Sequence, residues 1–348
     1  MSAPNPPSPS ELADALLGRC DFPPPGTPLT CAVSGGPDSL ALLYLATRAG
    51  CRVTAVHVDH GLRPGSAAEA GIVERAAARF GAAFRAERVD VAPGPNLEAR
   101  ARDARRAAVG VNAATGHTAD DQAETVLANL LRGAGVDGLA GMRHGPRHPI
   151  LRLRRSETRA LCEGLGMVPV DDPMNRDPRF LRTSVRSRLL PLMNELAGRD
   201  VVPVLARQAE LLAGDADVLA EVAGLVDATD ARALAGAPAP VGRRTVRRWL
   251  AGLGPHPRSS AEIERVLAVA RGDVVATELA GGVRVSRSRG RMSAAPSLSG
   301  AGAGSVLPGA DPAEPPADHS EMPGRSGPLL RYSRPVPNGP IVRAGDQG

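Results

Sequence analysis

Apolar positions follow two rhythms over the first two hundred residues: short runs bounded by turn residues, and stripes repeating every three to four positions. The runs at 29–33, 53–59, 83–89 and 111–115 have strand length. Between and after them, 67–80, 96–108 and 119–132 carry helical spacing, and LALLYLA opens a helix directly after the first run. Strand and helix in regular alternation predict an α/β fold, a doubly wound parallel sheet with helices on both faces. Ligands of such sheets lie beyond the C-terminal strand ends, so the polar groups after each run are the candidates for chemistry.

Past residue 200 the rhythm changes. Residues 201–225 read as a helix, 233–240 (ALAGAPAP) as a linker or loop, and 241–254 as a basic helix stopped by glycine. Residues 259–273 predict a helix capped by Ser259, with Glu262 three positions on. Strands are expected at 274–279 and 282–286, which makes this region a second, smaller α+β domain. The first 27 residues are Pro-rich around one helical segment, ELADALLGRC. From 292 the chain is rich in Gly, Pro and Ser, and disorder is expected. The expected division is therefore 1–27, 28–198, 199–291 and 292–348.

Composition narrows the chemistry. A length of 348 residues suits about two domains, and 43% hydrophobic with only 2% aromatic residues implies a core of Ala, Leu and Val. The net charge of +5 fits an acidic partner such as nucleic acid. All 42 basic residues are Arg, which excludes mechanisms through a covalent Lys. The four Cys (Cys20, Cys31, Cys51, Cys162) form no CxxC, which argues against zinc and iron–sulfur sites; Cys31 and Cys51 read as small core residues. With no signal peptide and no run of 18 apolar residues, a cytoplasmic protein without membrane contact is expected.

The first strand runs into Ser34-Gly35-Gly36-Pro37-Asp38-Ser39 at a helix start. Gly35 and Gly36 allow a sharp turn and close approach to a ligand. The unpaired N–H groups of the helix start then face phosphate oxygens. Ser39 can cap the helix or bind phosphate. Asp38 beside a phosphate calls for Mg²⁺ between them. The Walker and GxGxxG loops are both absent. The second strand ends in Asp59-His60, and the fourth in GHTADDQAET with His117, Asp120 and Asp121. Each acidic group also suits a turn or a helix first turn, but three polar sets at one sheet edge favour a site.

SGGPDS resembles the pyrophosphate loop of the ATP-pyrophosphatase (PP-loop) superfamily. Five blocks narrow this: SGGPDS (34–39), VDHGLRPGS (58–66), NLEARARDAR (96–105), GHTADDQAETVLANLLRGAGVDGLAGM (116–142) and DDPMNRDPRFLRTSVRSRLLP (171–191) resemble the tRNA(Ile)-lysidine synthase family. Residues 241–273 resemble that family's smaller substrate-recognition domain. Arg106 and Met174 depart from its pattern, and the additional C-terminal domain of longer members is not expected here.

The resemblance implies a ligase that uses ATP to adenylate the wobble cytidine of tRNA(Ile) with a CAU anticodon. Free L-lysine then displaces AMP. A homodimer is compatible with it. In that reading Ser34, Gly35, Gly36, Pro37, Asp38 and Ser39 hold the pyrophosphate, with Asp38 on Mg²⁺. Asp121, with Asp120 beside it, shares the metal or holds the lysine ammonium, and His60 or His117 takes its proton. Arg182 and Arg186 bind the α-phosphate or the tRNA backbone, or form a solvated face; Arg102 and Arg105 have the same choice. Arg243, Arg244, Arg247 and Arg248 contact tRNA phosphates, a salt-sensitive interaction. Trp249 stacks on a base or packs the small core. A thiolation enzyme and a small-molecule amide ligase are the rival enzymes, and a non-catalytic RNA-binding module is the remaining class.

Overall fold

The computed structural model describes residues 7–59, 66–89, 104, 107–170, 181–253 and 259–296, with the backbone alone at 66–68. His60, Arg102, Arg105, Arg106, Met174 and most of the expected 96–108 helix lie outside the described residues, as does the chain from 297 onward.

Four parallel strands form the first sheet: β1 (Pro28–Ala32), β2 (Arg52–Asp59), β3 (Ala83–Arg88) and β4 (Ala114–Thr115). Their order is β3-β2-β1-β4, so the chain switches direction across the sheet between β1 and β4. Leu29 pairs with Val53 and Ala32 with Val56 on one side of β1, and Cys31 pairs with Ala114 on the other. β4 is shorter than its expected run because Val111 is exposed and only Ala113 and Ala114 are buried. Helix α1 (Pro9–Leu17), capped by Ser8 and Glu11, drives Ala13 and Leu16 into the main core. The Pro-rich segment is thus packed structure over its described residues, 7–27. Arg48 and Asp14 pin it at 2.7 Å, and Arg152 and Asp21 likewise at 2.7 Å.

Helix α2 (Pro37–Arg48) lies almost wholly buried against the sheet, and α3 (Ser66–Phe80) joins β2 to β3. Cys31 and Cys51 are buried in this core, as expected. α4 (Ala119–Leu131) follows β4 and leads to α5 (Val136–Leu139). α6 (Arg155–Gly164) is an element the hydrophobic pattern does not announce: only Thr158, Leu161 and Cys162 are buried in it, a stripe one residue wide. The helix expected from about 179 is described from Leu181. It runs as α7 (Leu181–Ser184), a π-helical segment (Val185–Leu189) and α8 (Leu190–Ala197). π-turns of this kind recur at functional sites.

The long helix α9 (Val202–Gly224) begins in the core of α4, the π-segment and α8, where Val202, Leu205 and Ala209 are buried with Ala123 and Leu127. Its distal half packs against α11 (Ala239–Ala251), where Thr245 donates to the Ala223 carbonyl at 3.0 Å. The expected linker at 233–240 is instead α10 (Ala231–Gly236) plus the start of α11. Asp230 caps α10 through the Arg232 and Ala233 amides, Leu234 is buried, and Pro238 and Pro240 bracket the start of α11. Proline is favoured at such helix starts, so the Pro content does not mark a loop. α12 (Ser260–Arg271) has the expected Ser259–Glu262 cap. The second sheet is antiparallel: β5 (Ala276–Leu279), β6 (Val283–Ser288) and β7 (Arg291–Pro296). β7 corrects the expected onset of disorder at 292: Met292 is buried in the small core, and the strand pairs with β6 through Pro296. Trp249 packs against the same core.

Candidate active site

The loop after β1 is bent at one glycine. Gly35 has φ +84, and a Cβ there would lie 2.8 Å from Val170 Cγ2. Gly36 has ordinary extended φ, and a Cβ there would meet Ser34 Oγ at an unstrained 3.6 Å, so the bend rests on Gly35 alone. Ser39 neither caps the helix nor projects outward. Its hydroxyl donates to the Gly36 carbonyl at 2.9 Å and accepts the Ser34 amide at 3.2 Å, which ties the loop onto the first turn. No side chain caps α2. Cys162 Sγ donates to the Pro37 carbonyl at 3.2 Å, so α6 underlies the loop.

The turn after β4 presses against it. A Cβ on Gly116 would sit 2.8 Å from the Asp38 carbonyl oxygen and 2.9 Å from the Ser39 amide nitrogen. His117 Nδ1 lies 2.7 Å from Thr115 Oγ1, which also meets His148 Nδ1 at 2.8 Å.

Three carboxylates then converge on one cation. Arg155, at the start of α6, places Nε 3.5 Å from Asp38 Oδ2, Nη2 2.8 Å from Asp121 Oδ1 and Nη1 3.1 Å from Glu124 Oε1. Glu124 is 2% exposed and is also gripped by Arg186, Nε at 2.6 Å and Nη2 at 2.9 Å. Arg182 donates to Thr125 Oγ1 at 3.0 Å. Both arginines therefore face α4.

Asp121 and Asp120, neighbours in sequence, diverge in space. Asp121 accepts the Thr118 amide and hydroxyl at 2.9 and 2.8 Å, and its other oxygen faces Arg155. Burial opposes its charge, but the Arg155 cation and the Thr118 amide outweigh it and hold the carboxyl below the usual range. Asp120 turns to α6: it accepts the Arg155 amide at 2.9 Å and the Arg154 guanidinium at 3.0 and 3.1 Å. It too lies below the usual range, Arg154 and that amide outweighing its burial. Asp38 is pushed up, by burial first and by the charge of Asp121, against the Thr158 hydroxyl that donates to its Oδ1 and against Arg155.

Sequence reasoning missed Gly116, Glu124, Arg155 and Thr158. Gly116 and Glu124 stand within a quoted block, whereas Arg155 and Thr158 lie on the helix without an apolar signature. Of the four basic residues on α11, Arg243 and Arg247 are 53% and 51% exposed. Arg244 is only 13% exposed and ion-paired with Asp137 of α5, and Arg248 lies over Gly224, 3.0 Å from where its Cβ would be. Burial pushes the thiols of Cys20, Cys31 and Cys162 up to about 12, so none is a ready nucleophile. Among the described residues no group of three or more His, Cys, Asp or Glu is arranged to hold a metal, and no helix is long and apolar enough to cross a membrane.

A parallel sheet whose first strand feeds a glycine-bent, uncapped helix start defines the PP-loop class, and residues 19–193 match the PP-loop domain family. Similar proteins extend the match beyond that domain. The tRNA(Ile)-lysidine synthase of Nocardia farcinica is 42% identical over 260 residues, 69% of this chain and 82% of that protein. That of Mycolicibacterium paratuberculosis is 44% identical over 250 residues, 68% and 78%. That of Salinispora tropica is 40% identical over 311 residues, 79% and 92%. The chain belongs to the tRNA(Ile)-lysidine synthase family.

Proposed function

We propose that this chain makes lysidine. In the first half-reaction the C2 oxygen of the wobble cytidine, in tRNA(Ile) with a CAU anticodon, attacks the α-phosphate of ATP and pyrophosphate leaves. In the second, the side-chain amine of free L-lysine attacks C2 and AMP leaves. Beyond family membership, the observation that carries this reading is the placement of Asp121 and Glu124 beside the nucleotide loop, bridged to Asp38 by Arg155.

The loop 34–39 would hold the departing pyrophosphate with the N–H groups of α2. Asp38 suits a Mg²⁺ that completes its shell from phosphate oxygens and water, while Asp121, tied to Arg155 at 2.8 Å, is kept for the amine. When bound there it would neutralise charge on the pyrophosphate. A cavity of about 220 Å³ adjoins Arg155, with charged walls from Asp120, Glu124, Arg154, Arg186 and Asp200 and apolar ones from Leu190, Pro191 and Val202. Its mixture of carboxylates and guanidinium groups suits an amino acid with two ammonium groups and one carboxylate. Glu124 and Asp121 would orient the side-chain ammonium, which must lose a proton before attack. His117, held by Thr115, is the described candidate to take it; His60 is the other. Arg186, already bidentate on Glu124, acts in this reading by orienting that carboxylate, and Arg182, one turn before it and bonded to Thr125, would contact the tRNA backbone. The exposed Arg243 and Arg247 suit tRNA phosphates, with Arg102 and Arg105 as further candidates.

The test is incorporation of labelled lysine into unmodified tRNA(Ile) carrying CAU, with and without ATP. ATP-dependent labelling of that tRNA and not of methionine tRNAs is expected. Pyrophosphate release without labelling would reject lysine as the nucleophile.

A further inference from the structure

Arg155 touches both the nucleotide loop, through Asp38, and the cavity wall, through Glu124. An arginine beside a phosphate loop is ordinarily read as a phosphate ligand. Its contacts here argue otherwise. Its guanidinium is already committed to three carboxylates on two elements, and its side chain is only 18% exposed. The backbone from which it springs is fixed: Asp120 accepts the Arg155 amide and chelates Arg154, and one turn on Thr158 contacts Asp38 and accounts for no exposed surface. The three contacts are unequal, tight to Asp121 and Glu124 at 2.8 and 3.1 Å and loose to Asp38 at 3.5 Å.

We propose that Arg155 is a positioning residue that acts as the resident cation of the site. It keeps Asp121 and Glu124 aligned for the amine, and it competes with the incoming metal for Asp38. With metal–ATP bound, Asp38 would leave the loose end of the guanidinium, and the two tight contacts would be kept. The loop and the amine-binding carboxylates are thereby linked: filling one releases Arg155 towards the other. This rests on the nucleotide half of the function proposed above and is independent of whether lysine is the nucleophile.

The direction of the effect separates competitor from phosphate ligand. Arg155→Met should bind Mg²⁺ with a non-hydrolysable ATP analogue about tenfold more tightly than the wild type in calorimetry without tRNA or lysine, a factor equal to one unit of log Kd. Mn²⁺ in place of Mg²⁺ with the same analogue, followed by the loss of its free-ion paramagnetic resonance signal, should show the same order. Arg155→Lys, a point charge that cannot span three carboxylates, should fall between the two, and it decides the matter if the Met variant does not fold. Weaker or unchanged binding in the folded variant would overturn the proposal, weaker nucleotide binding being the mark of a phosphate ligand. If neither protein binds the metal–nucleotide complex, the nucleotide half of the proposed function fails and this proposal falls with it.

Discussion

A Cβ on Gly116 would stand 2.8 Å from the carbonyl oxygen of Asp38, closer than side chains approach backbone. The end of β4 and the first turn of α2 thus fit together only because residue 116 lacks a side chain. Gly116→Ala must push the loop off its helix start. Overpacking of this kind costs about 1–3 kcal/mol. Affinity for an ATP analogue should fall at least about tenfold, that is by 1.4 kcal/mol or more, in calorimetry. Wild-type affinity in a folded variant would show that the loop tolerates the shift.

Asp120 and Asp121 should separate cleanly. Asp121→Asn removes a charge facing Arg155 and should lower kcat for lysine incorporation about 100-fold or more, in the range of lost acid–base and positioning groups. Asp120→Asn removes the brace of α6 and should cost about 2 kcal/mol in denaturant unfolding, with kcat changed far less. Equal loss of turnover in the two variants would count against this division.

The same carboxylates set an acid limb. The folded pKa values of Asp120 and Asp121 lie below their unfolded values, so their contribution to stability is complete above the unfolded value of about 3.9 and is lost as pH falls through the folded values. Unfolding free energy measured from pH 6 downward should therefore decline below about pH 4, and more gently in Asp120→Asn. Asp38 has the opposite sign. Its folded value is raised, so ionisation costs stability at neutral pH, and Asp38→Asn should be inactive yet at least as stable as the wild type at pH 7. A marked drop in its melting temperature would contradict this.

The arginines of α11 divide by exposure. Removing Arg243 or Arg247 should weaken tRNA binding for all sequences and reduce the slope of log K against log salt by roughly 0.7–0.9 per phosphate contact. Arg244→Ala should instead lower stability by up to about 1 kcal/mol, given the half-exposed Asp137 partner, and the Asp137→Arg/Arg244→Asp exchange should restore part of it. An Arg244 variant with wild-type stability and a reduced salt slope would move that residue to the tRNA surface.

Much of the fold was legible because burial leaves a periodic trace. The strands of the first sheet and helices α2, α3, α4, α9 and α12 were each read within a few residues, since each buries a wide apolar stripe or run. α6 was not, because only three of its residues are buried and its chemistry lies in polar side chains. The 233–240 stretch misled because proline marks helix starts as well as loops, and β7 because one buried methionine and one alternation are too short a signal.

The sequence by itself determined the nucleotide loop, the α/β order that carries it and the carboxylates of GHTADDQAET, since these are local patterns of a few adjacent residues. Only the tertiary structure decided which of those groups meet. Neighbouring Asp120 and Asp121 differ by the direction in which each side chain leaves the same helix turn, one to brace α6 and the other to face Asp38 across Arg155. Arg155 itself lies 117 residues from Asp38 in the chain and 3.5 Å from it in space. Such a pairing is set by how α6 packs beneath the loop, and no local pattern of residues carries it.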